Sequence, residues 1–182
     1  MTVESKTHIL SSGKQVHIYD GLLPAKLRDD FFEFVKKSAY FIGWHDADQD
    51  KATKHECLYT YYTGEQTMAA GIMPFLQKSV VNEHINGLSL TKSIVNLSVP
   101  SHCHFAHCHA EKIVVLYYAN LDWEQHWHGE TLFYSEDLKE IELAINYTPG
   151  RVVVFDASIP HSVRPQSHAA DHYRFTYTLA FE

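Results

Sequence analysis

The segment "HFAHCHAE" at residues 104–111 places three histidines, one cysteine and one glutamate within eight positions. His107 and His109 form an H-x-H pair, and residues i and i+2 of a β-strand point to the same side. Two such imidazoles can bind one transition metal ion, since imidazole is a ligand of Fe, Zn, Cu and Ni. The pair therefore predicts a metal site on a strand. The neighbouring histidines are interpreted as rim or surface residues: His102, His104 and His126.

A second set of polar residues follows about fifty positions later in the chain. In "TPGRVVVFDASIPHSVRPQS" a predicted strand ends at Asp156, and a turn leads to His161. The final predicted strand opens with Arg174, and one of its faces is small and polar whereas the other is apolar. This pattern is expected of a strand that lines a cavity in which the Arg174 guanidinium binds a carboxylate.

The composition is that of a globular protein with a core of its own. Of the 182 residues 45% are hydrophobic and 20% are charged, which argues against disorder. The formal net charge of −7 and the lack of a basic run argue against nucleic acid or an anionic membrane as partner. The absence of a signal peptide or membrane span, together with three cysteines, indicates a cytoplasmic protein with reduced thiols.

The first half of the chain is predicted to be partly helical. A "SSGK" turn separates two short strands, and apolar residues at helical spacing predict a helix with Pro24 at its first position. A second helix is predicted over 65–85, kinked near Gly71–Pro74, and residues 42–56 are predicted to be a loop. Residues 1–90 are thus expected to form a helical and loop support region.

After residue 88 the sequence changes to short β-branched or aromatic runs separated by turn residues. These runs are "SLTKSIVNLSV", "KIVVLYYAN", "ETLFYS", "EIELAINY", "RVVVFDA" and "YRFTYTLAFE". Strands at this spacing are typical of a sandwich or barrel. We therefore predict one domain over 1–182, mainly β (α+β), in which N-terminal helices precede and buttress a jelly-roll or cupin-type barrel over 91–182.

Three segments of this β region, "YYANLDWEQHWHGETLFYSED", "TPGRVVVFDASIPHSVRPQS" and "RFTYTLAF", carry a family resemblance. In order and spacing they resemble the prolyl-4-hydroxylase-like branch of the Fe(II)/2-oxoglutarate oxygenases over roughly residues 94–182. The resemblance implies a double-stranded β-helix with Fe(II) and 2-oxoglutarate as cofactors. It also implies a dioxygenase that hydroxylates a prolyl, peptidyl or small-molecule substrate and releases succinate and CO2.

The resemblance further implies roles for individual residues. His161 would be the distal metal ligand, and Arg174 would bind the far carboxylate of 2-oxoglutarate with the help of Tyr118. The family's proximal motif is H-x-D, and no such triplet occurs between residues 94 and 112. Two placements are therefore open.

In the first placement His107 and His109 join His161, which gives three imidazoles as in cupins. In the second, His109 and Glu111 join His161, which keeps the two histidines and one carboxylate of non-haem iron oxygenases. Ligand chemistry favours the second placement, and spacing favours the first, because Lys112 already begins the next strand. Two other functions stay open: a cupin-like metal dioxygenase or isomerase without 2-oxoglutarate, and a non-catalytic barrel that serves as a binding module.

A further departure from the family is "WHGET", where His128 stands in place of the first of two glycines. It is interpreted as an accommodated bulge, with substrate contact as the alternative. Aromatic residues could contact substrate from the loops, although those at 59–62 also alternate as in a strand. The aromatic candidates are Trp44, Tyr59, Tyr61, Trp123 and Trp127. The natural substrate and the oligomeric state cannot be read from these residues.

Overall fold

The computed structural model describes residues 3–43, 58–102 and 104–182. Strands dominate these residues, and the helices lie in the first half of the chain. The strands are β1 (Glu4–Ile9), β2 (Gln15–Asp20), β3 (Phe41–Ile42), β4 (Leu58–Tyr61), β5 (Leu90–Ser98), β6 (Ile113–Tyr118), β7 (Thr131–Tyr134), β8 (Ile141–Ile145), β9 (Val152–Asp156), β10 (His161–Val163) and β11 (Arg174–Phe181). The helices are α1 (Ala25–Lys36), α2 (Gly64–Ala69), α3 (Ile72–Leu76) and α4 (Asn82–Ile85).

The described strands form two antiparallel sheets. The larger has eight strands in the order β1-β2-β9-β6-β11-β5-β4-β3, and the smaller has the order β10-β7-β8. β11, the last strand in the chain, pairs with β5 on one side and β6 on the other, so it occupies the middle of the large sheet. The predicted mainly β fold is confirmed.

The two faces of β11 differ as predicted from its alternation. One face belongs to an apolar cluster that also contains residues of helices α1, α3 and α4, and it consists of Phe175, Tyr177, Leu179 and Phe181. Arg174, Thr176 and Thr178 line a cavity on the other face. A shift of one residue in register would exchange these two faces, and the buried apolar face makes that shift costly.

Helix α1 packs on the apolar face of the large sheet. Phe31 and Val35 are fully buried, and the Phe31 ring lies 4.9 Å from Tyr177 and 5.6 Å from Tyr117, measured between ring centroids. Burial of an apolar side chain of this size stabilises a fold by about 1.5–3 kcal/mol. This packing fixes the large sheet on one side and leaves its other side for the cavity.

Some predicted boundaries differ from the structure. Pro24 is the N-cap of α1 and not its first residue, with extended backbone at φ −59° and ψ 144°. The second predicted helix is three short helices, since Gly71 with φ 80° separates α2 from α3 and a turn separates α3 from α4. Of the predicted loop 42–56, Ile42 belongs to β3 and residues 44–56 lie outside the described residues. None of the described helices is long and apolar enough to span a membrane.

Candidate metal centre

Three imidazoles meet at one end of the cavity. His107, His109 and His161 each offer one ring nitrogen, and these atoms lie within 4.8 Å of one another. The ring centroids are 4.5 to 5.1 Å apart. His161 is 7% exposed, whereas the other two are partly exposed at the opening. Three converging nitrogen donors at a cavity mouth form a group able to hold a transition metal ion with open coordination positions.

Backbone hydrogen bonds join the two chain segments that carry these ligands. The His107 amide donates to the His161 carbonyl and the His161 amide donates to the His107 carbonyl, both at 3.0 Å. The expectation that H-x-H lies on a strand is wrong, because His107 forms only an isolated bridge and His109 lies in irregular backbone. His161 begins β10 after a turn in which the Asp156 carboxylate accepts from the Ser158 amide at 2.8 Å.

Neighbouring carbonyl groups set the protonation of two of the rings. His161 Nδ1 lies 2.8 Å from the Ile159 carbonyl, and His107 Nδ1 lies 3.1 Å from the Phe105 carbonyl. A carbonyl oxygen only accepts, so each Nδ1 carries a proton, and in the neutral tautomer the Nε2 atom is the one with a free lone pair. Burial lowers the pKa of His161 well below its usual value, and the adjacent His107 and His109 lower it further. His161 is therefore neutral at pH 7, as a metal ligand must be.

Glu111, the alternative carboxylate ligand, lies outside this group of three histidines. Its carboxylate is 3.6 Å from Lys92 Nζ, and the same ammonium group is 3.5 Å from His109 Nδ1. Lys92 lines the cavity. Glu111 thus holds a cation beside one of the imidazoles.

Arg174 is buried at 1% exposure and lines the same cavity. Its Nε donates to the Gly129 carbonyl at 2.9 Å and its Nη1 donates to Thr176 Oγ1 at 3.3 Å. Its Nη2 is buried without a hydrogen-bond partner among the described residues, and no ion pair of these residues includes it. A guanidinium is charged at any ordinary pH, so we expect an anion to bind beside Nη2.

The backbone of Gly129 packs closely against the Arg174 side chain and helps to hold it in place. Its φ of +84° is unfavourable for other residues, and a Cβ at this position would lie 3.0 Å from Arg174 Cδ and 3.2 Å from Nε. Glycine therefore allows the close approach in which its carbonyl accepts from the guanidinium. The Trp123 indole fixes the preceding peptide, since its Nε1 donates to the His128 carbonyl at 2.9 Å.

His128 adopts φ 61° and ψ −142°, close to a region that glycine alone enters readily. A residue with a Cβ is therefore strained at this position. We expect His128→Gly to raise the free energy of unfolding by about 1 kcal/mol, because relief of about 1–3 kcal/mol of strain exceeds the added chain entropy of glycine. Urea denaturation measures this change.

The matched control is His126→Gly, two residues earlier in a 3-10 turn, where glycine should lower stability by about 0.5–1 kcal/mol. Equal losses of stability in the two variants would contradict the strain at His128.

Tyr118 does not reach the cavity directly. It is fully buried, its hydroxyl donates to Thr131 Oγ1 at 2.7 Å, and it is Thr131 that lines the cavity. Because Thr131 accepts from Tyr118, its own hydroxyl proton can be donated into the cavity. The Arg174 Cζ lies 5.6 Å from the Tyr118 ring and 4.7 Å from the Tyr147 ring, and both contacts favour the cation.

Two histidines interpreted as rim or surface residues are placed differently. His102 is 2% exposed, and its ring packs 4.2 Å from His104, which lines the cavity. The interpretation was wrong for His102, which is buried, whereas His104 is partly exposed and lines the cavity; composition alone reveals neither position. The interpretation holds for His126, whose side chain is 68% exposed.

The aromatic and cysteine candidates have varied positions. Tyr59 and Tyr61 lie on β4, in agreement with the strand interpretation. Trp127 is 5% exposed, and Trp123 packs on Tyr147 with ring centroids 4.7 Å apart. Cys108 is a free, exposed thiol. Three candidates lie outside the described residues: Trp44, Cys57 and Cys103.

No family model matches the sequence, and no curated protein matches it significantly. Solved structures do match the fold. A prolyl hydroxylase from Trichoplax adhaerens, in complex with a hypoxia inducible factor peptide fragment, has a TM-score of 0.67 at 16% identity, over 91% of this chain and 82% of that one. A Pseudomonas putida prolyl-4-hydroxylase has a TM-score of 0.59 at 16% identity, over 99% and 92%.

HygX from Streptomyces hygroscopicus, with nickel and 2-oxoglutarate bound, has a TM-score of 0.68 at 7% identity, over 91% of this chain and 82% of that one. The chain therefore has the fold of the prolyl hydroxylases and other 2-oxoglutarate and Fe(II) oxygenases.

Proposed function

We propose that this chain, a single domain with the double-stranded β-helix of those oxygenases, is an Fe(II)- and 2-oxoglutarate-dependent hydroxylase. One observation carries the proposal: three converging imidazoles share a cavity with a buried guanidinium whose Nη2 has no partner among the described residues. A metal site alone fits many enzymes. A metal site together with a cationic cavity wall fits a metal-chelating co-substrate that carries a second carboxylate.

The residues present fit both cofactors. His107, His109 and His161 would hold Fe(II), for which imidazole is a common ligand. Arg174 would bind the distal carboxylate of 2-oxoglutarate through Nη2, and Thr131, supported by Tyr118, would donate a second hydrogen bond. When bound, Fe(II) and 2-oxoglutarate supply oxidation by dioxygen, with release of succinate and CO2.

The protein's own contribution is binding, orientation and exclusion of water. Gly129 and Thr176 hold the guanidinium plane, so a carboxylate meets a preformed donor and little conformational entropy is lost. Apolar side chains of Val114, Leu116 and Phe155 line the wall between the polar groups and restrict water. A dry wall strengthens the interaction between the co-substrate carboxylate and Arg174.

The substrate is proposed to be a prolyl, peptidyl or small molecule that enters from the side of the cavity where His107 and His109 are exposed. A bound peptide fragment in the Trichoplax adhaerens structure supports the peptidyl alternative through the shared fold. The cytoplasmic location inferred from composition stays a prediction.

The decisive test is an anaerobic titration of Fe(II)-loaded protein with 2-oxoglutarate. We expect a weak visible metal-to-ligand charge-transfer band that saturates with added ligand. The control uses Zn(II)-loaded protein, which has no redox-active electrons for such a band. Fe(II) binding without any band would contradict the proposal.

A cupin-like metal dioxygenase without 2-oxoglutarate is the second candidate, because three imidazoles and no carboxylate form the group. This enzyme would bind Fe(II) and give no charge-transfer band. The same titration therefore separates the two functions.

A further inference from the structure

His104 is a polar group of the cavity to which no role has yet been given. Its Nε2 is buried without a hydrogen-bond partner among the described residues, and the side chain lines the same cavity as Arg174. A buried polar atom without a partner is unfavourable, so such an atom in a cavity indicates a ligand.

The neighbours of His104 define where that ligand would lie. The Arg174 and His107 charges both act on the imidazole, since each lowers its pKa after the larger effect of burial and that of His102. The cavity that His104 lines is also lined by Arg174 and by the candidate metal ligand His107. The His102 ring, 4.2 Å away, packs against the imidazole.

Chemistry restricts the ligand further. Arg174 can only donate, and a neutral imidazole with its proton on Nε2 also donates. Arg174 Nη2 and His104 Nε2 both lack a hydrogen-bond partner among the described residues, and one carboxylate can accept from both.

We propose that His104 is a co-substrate-binding residue that donates from Nε2 to the distal carboxylate of 2-oxoglutarate, together with Arg174. The inference rests on the proposed function and adds a specific contact to it. It also gives a reason for a histidine at this inward-facing position, three residues before the first metal ligand.

The test compares two 2-oxo acids in anaerobic Fe(II)-loaded protein, with charge-transfer titration and calorimetry as readouts. 2-Oxoglutarate has the distal carboxylate and 2-oxobutyrate lacks it. We expect His104→Leu to weaken 2-oxoglutarate binding roughly ten- to a hundredfold, as for a lost hydrogen bond to a charged group. Binding of 2-oxobutyrate should change by no more than about twofold, because that acid makes no bond to the imidazole.

His104→Gln is the rescue variant, since its amide nitrogen can donate from a similar distance, and it should bind 2-oxoglutarate within about threefold of the unaltered protein. Circular dichroism and Fe(II) content confirm that each variant is folded and loaded. Unchanged 2-oxoglutarate affinity in His104→Leu, or an equal loss for both acids, would overturn the inference. Failure of the unaltered protein to bind 2-oxoglutarate would instead overturn the proposed function.

Discussion

Replacement of Arg174 by methionine abolishes most 2-oxoglutarate binding and leaves metal binding intact; this is the largest effect that we expect. Truncation of one partner of a buried, hydrogen-bonded charge pair costs about 2–5 kcal/mol, which corresponds to roughly thirty- to several thousandfold in affinity. We expect a loss of affinity of this size because Arg174 is 1% exposed and its Nη2 has no other partner among the described residues.

The fold should tolerate this substitution. The buried guanidinium bears a desolvation cost that methionine removes, while the Gly129 carbonyl loses its donor. These two effects oppose each other, so we expect the thermal midpoint to change little.

The matched control is Arg164→Met, which removes an arginine that is 48% exposed and paired with Glu130. It should bind 2-oxoglutarate normally in the charge-transfer titration. Equal affinities in Arg174→Met and the unaltered protein would show that the guanidinium does not bind the co-substrate.

Loss of metal on removal of a ligand imidazole is the second large effect that we expect. His161→Ala and His107→Ala should each lower Fe(II) affinity by at least about a hundredfold, since even outer-sphere partners of a metal site contribute about 10–100-fold. Metal content after dialysis, and the visible spectrum of the Co(II)-loaded protein, measure the change.

Glu111→Gln distinguishes the two ligand placements. If the three imidazoles bind the metal, Glu111 only pairs with Lys92, and its replacement should keep the metal with at most a severalfold loss. His126→Ala, at an exposed imidazole, is the matched control for the histidine variants. A protein that loses its metal in Glu111→Gln and keeps it in His107→Ala would establish the carboxylate placement instead.

Sequence patterns predicted the parts of the fold that depend on alternation. The polar and apolar faces of β11 could be read directly, because a buried sheet requires period-two patterning and a single register. The α1 helix was also predictable from its spacing. The division of 65–85 into three helices was less accessible, because it depends on local turn geometry at Gly71 and beyond.

The lining of the cavity could not be predicted from the sequence, because it depends on contacts between distant segments of the chain. His104 belongs to an irregular segment, and nothing in its neighbours' spacing shows that the chain folds inward there. The Gly129 contact with Arg174 joins residues 45 positions apart, so only the tertiary structure reveals that a Cβ at 129 would displace the guanidinium. The hydrogen bond from Tyr118 to the cavity residue Thr131 joins strands of different sheets, so it too could not be read from the sequence.

The reciprocal backbone bonds between His107 and His161 also bear on the choice of the third ligand. These bonds join main-chain groups, so they set the position of the two ligand sites regardless of which side chain occupies the third one. A chain with this bridge can exchange a carboxylate for an imidazole at a nearby position and keep the two fixed ligands in place. The bridge thus separates the location of the candidate metal centre from the chemistry of its third ligand.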